Sequence, residues 1–136
     1  AAVIVIQEAF GLNDHIEDLK ARNIDESETK LGVIVASKAF SVNILAREQQ
    51  GLAERFSGKG GVSGEQRFLG GAAWDTLVTG APVLPDALAS LDCELLDEHA
   101  FATHSIFIGR VIDGRFRDEG EPLLYFRNDY WDIGAR

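Results

Sequence analysis

The sequence predicts a mainly β chain with a few helices, a barrel or sandwich carrying one or two covering helices. Three observations predict it. Ala89, Leu91, Cys93 and Leu95 alternate with Ser90, Asp92 and Glu94, the two-residue period of a strand. Residues 104–112 are rich in β-forming side chains, and residues 123–126 form a further β run after Pro122. The runs follow one another closely, as in an antiparallel meander.

Taken in order, residues 1–6 are apolar and rich in β-branched side chains, which predicts a buried strand. Asn13 is placed to cap a helix, with Asp14, Glu17 and Asp18 in its first turns and Ile16 and Leu19 on its apolar face. Residues 23–29 are polar and acidic and predict a loop. Residues 31–36 are apolar throughout, so periodicity leaves buried helix and buried strand both open. Phe40, Val42 and Ile44 alternate as in a strand. Residues 47–56 predict a short helix with Leu52 and Phe56 on one face. Gly58, Gly60, Gly61 and Gly64 then predict a flexible loop, and Pro82 and Pro85 punctuate a second irregular stretch.

With 136 residues, 46% of them apolar, the chain has the material for one globular domain. Its 22 acidic and 13 basic residues give a net charge of -9, which disfavours nucleic acid and anionic membrane as partners. No apolar run reaches the roughly 20 residues of a membrane span. The single Cys93 excludes an intramolecular disulfide and a four-cysteine zinc site. The chain contains no Met and starts Ala1-Ala2-Val3, so its natural start is expected to be processed or missing. The base expectation is an acidic, cytoplasmic, single-domain protein.

The glycine loop could bring backbone N–H groups close to an anion. Its spacing fits neither phosphate motif: Gly60 follows Lys59 where a P-loop needs Ser or Thr, and the dinucleotide fingerprint's third glycine is missing. A surface loop is the simpler reading. Glu65 stands where a nucleophile elbow around Ser63 would need glycine. His15, His99 and His104 form no ligand-spaced pair, so no metal site is expected. His104 heads an apolar strand, where it could hydrogen-bond a ligand, donate a proton or simply cap the strand. Cys93 fits a small core residue. Arg127, Tyr130 and Trp131 suit stacking on a flat ring or a partner, or docking on the core.

Six segments, in order, carry a resemblance. They are Asp25-Glu26-Ser27-Glu28-Thr29, Phe40-Ser41-Val42-Asn43-Ile44-Leu45, and Leu52-Ala53-Glu54-Arg55-Phe56-Ser57-Gly58. The other three begin at Gly80-Ala81-Pro82-Val83, at Thr103-His104-Ser105-Ile106 and at Pro122-Leu123-Leu124-Tyr125-Phe126-Arg127-Asn128-Asp129-Tyr130. From about Asn23 onward the chain resembles the short-chain flavin reductases. That resemblance implies a Greek-key FMN-binding split β-barrel paired as a homodimer. It also implies hydride transfer from NADH or NADPH to FMN or FAD, with reduced flavin passed to a flavin-dependent monooxygenase. By position it implies Asn23, Asp25, Ser27 and Thr29 around the flavin, the last two near its phosphate and ribityl chain. It puts His104 on the nicotinamide side as the catalytic residue, and Arg127 and Tyr130 at the pocket wall. Ala102 and Thr103 before His104 depart mildly from the family's usual pair.

The opening residues differ. Residues 2–19, including Glu8, resemble the first strand, loop and helix of dienelactone hydrolases, without the rest of that family's site. The expected organisation is therefore a hydrolase-like segment at 1–22 and a flavin reductase-like domain at 23–136, the family's first strands being replaced or missing. The alternative expectation is a non-catalytic flavin-binding or structural dimeric split-barrel scaffold, truncated or chimeric.

Overall fold

A computed structural model describes residues 30–62, 64–101 and 104–132. It opens on α1, Lys30–Ser37. The apolar run that periodicity leaves ambiguous is thus a helix, and packing accounts for it: Ile34 and Val35 settle against buried Phe40, Cys93 and Phe107. The chain reverses at Lys38, whose N–H donates to the Ile34 carbonyl at 2.9 Å, and enters β1, Ala39–Ile44.

β1 lies beside β4, Ala89–Phe101, which lies beside β5, His104–Phe116, in one antiparallel sheet of order β1-β4-β5. Phe40 faces Cys93, which faces Val111 on the far strand. Val42, Leu91, Leu95 and Val111 pack around the Phe40–Cys93–Phe107 cluster. Each fully buried side chain of this size contributes about 1.5–3 kcal/mol. Cys93 is a core residue here, as its spacing predicts.

The other face of β4 is covered too. Ser90 and Asp92 are 1% and 0% exposed. The Thr79 backbone N–H donates to Asp92 Oδ2 at 2.8 Å, and the Thr79 hydroxyl donates to Oδ1. Asn43 Oδ1 accepts the Leu84 N–H at 2.9 Å and the Ser90 hydroxyl at 2.7 Å. The proline-punctuated stretch is therefore pinned by polar side chains, with a small pairing of β2, Asp75–Thr76, and β3, Pro82–Val83. Buried polar groups survive only when paired in this way.

One expectation changes. The simple meander stops at β5. The next strand, β6 (Leu124–Phe126), pairs with β7 (Asp129–Trp131) in a separate two-stranded sheet. Pro122 has no N–H to give a ladder. Its neighbours bond instead beyond the end of β1: Leu123 N–H to the Leu45 carbonyl and Arg47 N–H to the Glu121 carbonyl, at 2.9 and 2.8 Å. His99 and His104 lie on neighbouring strands, β4 and β5, where His99 pairs with Ile106 and Phe101 with His104.

The predicted 47–56 helix forms as a 3-10 turn, Arg47–Gln49, running into α2, Gln50–Phe56. Phe56 stacks with Phe68 and Trp74, centroids 5.1 and 5.6 Å away. Among the described residues no helix is long and apolar enough to cross a membrane.

Candidate functional site

The site is built where α2 meets the β6–β7 hairpin. Arg47 fastens both ends of that hairpin: its Nη1 lies 2.8 Å from Glu121 Oε2, ahead of β6, and 2.6 Å from Asp132 Oδ2, after β7. The two-residue turn between the strands is Arg127-Asn128, with φ of 53° and 64°. Left-handed conformation at both positions matches the twist of a tight hairpin, and asparagine tolerates it well. The sequence reading takes 123–126 as a strand and misses its partner. The signal was an Asn-containing pair flanked by two short aromatic runs.

On the opposite wall, α2 ends in a glycine cap. Lys59 N–H donates to the Glu54 carbonyl at 3.1 Å, and Gly58 N–H to the Arg55 carbonyl at 3.2 Å. Gly58 takes φ of 88°, where a side chain would be strained. The first glycine of the loop is thus a helix stop. It turns the chain so that Lys59 Nζ reaches back to Glu54 Oε1 at 2.9 Å.

Between these walls lies a cleft of about 420 Å³. Gln50, Glu54, Ser57 and Lys59 line one side, and Tyr125, Asn128, Asp129 and Tyr130 the other. The Tyr125 and Tyr130 rings meet edge to face, centroids 4.9 Å apart. Hydrogen bonds from Lys59, then Gln50, hold the Glu54 carboxyl below the usual carboxylate range. The same contact raises the Lys59 ammonium, with smaller help from Tyr130 and Asp129 across the cleft. Burial pushes the Tyr130 phenol up, and the Glu54 charge adds to it.

Of the residues expected at the site, Tyr130 lines this cleft. Arg127 does not: its guanidinium lies over the Phe126 ring, 5.4 Å from the centroid. His104 opens β5, in a different sheet from the hairpin. Asn23, Asp25, Ser27 and Thr29, with the whole 1–22 segment, lie outside the described residues. Sequence reasoning missed Glu54, Lys59 and Asp129 as a group, because only the fold joins them.

Residues 19–134 match the flavin reductase like domain family. The chain belongs to that family. An FMN reductase (NADH), RutF, of Agrobacterium fabrum is 40% identical over 98 residues, covering 72% of this chain and 55% of the relative. The reductase component of an FADH(2)-dependent resorcinol hydroxylase from Rhizobium sp. is 37% identical over 91 residues, covering 67% and 49%. Among solved structures, flavin reductase PheA2 in its native state superposes with a TM-score of 0.67 at 31% identity, covering 79% of this chain and 65% of that one. The mainly β split-barrel class is therefore the observed fold. The chain spans about half the length of the curated relatives named above.

The cleft offers a flavin mononucleotide few free donors. Lys59 and Asn128 are donors suited to phosphate or ribityl oxygens. Glu54 and Asp129 oppose them, and the Lys59 charge is already taken by Glu54. A doubly charged phosphate monoester does not fit this cleft.

Proposed function

We propose that this flavin reductase family member transfers hydride from NADH to FMN and supplies the reduced flavin to a partner monooxygenase. The family match over residues 19–134 carries the reading. The names of the relatives support its details: an FMN reductase (NADH) favours FMN and NADH, and a reductase component favours an oxygenase partner. NADH and a proton react with FMN to give NAD⁺ and reduced flavin. The flavin supplies the redox chemistry, so the protein needs no nucleophile. Its task is to hold two rings face to face at contact distance.

In this reading Asn23, Asp25, Ser27 and Thr29 hold the flavin, His104 stands on the nicotinamide side, and Tyr130 belongs to the pocket wall. Arg127 is its weaker member, since its guanidinium rests on Phe126. The same proposal includes a homodimer in the cytoplasm. Exposed Phe126, Trp131, Phe116 and Ile44 support the pairing, being 52%, 49%, 77% and 47% exposed. It also keeps the division at 1–22 and 23–136, which limited proteolysis tests by a cut near residue 22 that leaves the remainder folded.

The test of function mixes the protein with FMN and NADH without oxygen and follows nicotinamide absorbance and flavin bleaching. Coupled loss of both signals is expected. Unchanged NADH in excess FMN overturns the reading. Quenched flavin fluorescence without NADH loss marks a flavin-binding module instead. Unchanged turnover in His104→Ala removes that residue from the site.

A further inference from the structure

We propose that the cleft between α2 and the β6–β7 hairpin receives the adenosine end of NADH, with Glu54 and Asp129 selecting the free 2′-hydroxyl over a 2′-phosphate. The inference rests on the flavin reductase reading and adds specificity residues to it.

The cleft volume, about 420 Å³, is in the range of small-molecule sites. Its aromatic part is the edge-to-face pair Tyr125 and Tyr130, a surface on which a flat purine can pack. Its polar part is rich in acceptors. Glu54 Oε1 accepts both Lys59 Nζ at 2.9 Å and Gln50 Nε2 at 3.1 Å, and the described contacts leave Oε2 free. Asp129 Oδ1 accepts the Tyr130 N–H at 2.8 Å, and the described contacts leave Oδ2 free. A free carboxylate oxygen accepts from a ribose hydroxyl, as the acidic residue does in other dinucleotide sites.

The charge count decides against the phosphorylated form. Two carboxylates and one ammonium leave the cleft lining at -1. Sites for a 2′-phosphate use an arginine fork. Among the described residues no arginine lines this cleft, and Arg127, next to it in sequence, lies over Phe126. A phosphate dianion would meet unpaired carboxylate oxygen on both walls.

The test titrates the full chain with adenosine and with 2′-AMP and reads the ring resonances of Tyr125 and Tyr130 by NMR. Adenosine is expected to move both, and 2′-AMP to bind at least about tenfold more weakly, the ratio that 1.4 kcal/mol gives. The double variant Glu54→Gln, Asp129→Asn should bring the two ligands to within about threefold. The NADPH-to-NADH ratio of kcat/KM should rise with it. Unmoved tyrosine resonances, or 2′-AMP binding as tightly as adenosine, overturn the proposal. Turnover of NADH and FMN in the same sample separates the two readings. Turnover with no tyrosine shift sinks the cleft alone. A tyrosine shift with no turnover sinks the reductase reading and leaves an adenosine site.

Discussion

Gly109 decides how closely β5 can approach the core. A methyl group there would stand 2.4 Å from Phe40 Cζ, 2.8 Å from Cε1 and 3.3 Å from Cys93 Cβ. Carbon atoms rest comfortably about 3.5–4.0 Å apart, so the ring would have to withdraw by roughly 1 Å. It has little room: Phe40 is 5% exposed, and its neighbours Cys93 and Phe107 are 0% and 5% exposed. Overpacking of this kind costs about 1–3 kcal/mol. Replacing glycine by alanine within a strand returns roughly 0.5–1 kcal/mol. The two effects have opposite signs, and the steric one is larger. Gly109→Ala should therefore destabilise the protein by about 1–2 kcal/mol, or about 3–8 °C in Tm. Urea unfolding at equilibrium, with an unchanged m-value, measures it. In a Phe40→Leu background the shorter side chain relieves the clash, and the alanine penalty should fall by about half or more. A Gly109→Ala protein as stable as the parent, or more so, would refute the packing argument.

Three further outcomes follow from the same structure. Asp92→Ala removes the buried carboxylate that accepts from the half-buried Thr79 N–H and hydroxyl and should cost about 1–3 kcal/mol. Asp92→Asn keeps a carbonyl acceptor and should cost less, so equal urea midpoints for the two variants would count against the clasp. Cys93 is fully buried, and burial raises its thiol, with the neighbouring Asp92 charge adding to the effect. An aromatic disulfide reagent should label it only in denaturant, and rapid stoichiometric labelling of the native chain would place it elsewhere. The Tyr130 phenol keeps its proton above the ordinary value of 10.0. The folded state then binds more protons than the unfolded one in that window, so stability falls as pH rises above it. Tyr130→Phe should flatten that decline and remove the high-pH limb of the phenolate absorbance titration.

The strands at 39–44 and 89–95, the 47–56 helix and the core role of Cys93 are legible in the sequence because each depends on neighbours in the chain. The helix at 30–37 is not, since an all-apolar run carries no period and only its contact with Phe40 and Cys93 explains it. The burial of Ser90 and Asp92 is not legible either. Their alternation with apolar residues marks a strand, yet nothing local says that Thr79 and Leu84 will cover the second face.

The order of short motifs along the chain was enough, by itself, to determine the family and with it the chemistry proposed. The tertiary structure alone decided which charges share a cleft. Glu54 and Asp129 are far apart in sequence and belong to different elements. They meet because Arg47 clamps the hairpin beside α2 and a left-handed glycine returns Lys59 toward the helix. Local pattern records which residues can form a helix or a hairpin. Long-range bonds set where one stands against the other, and a binding surface lies between them.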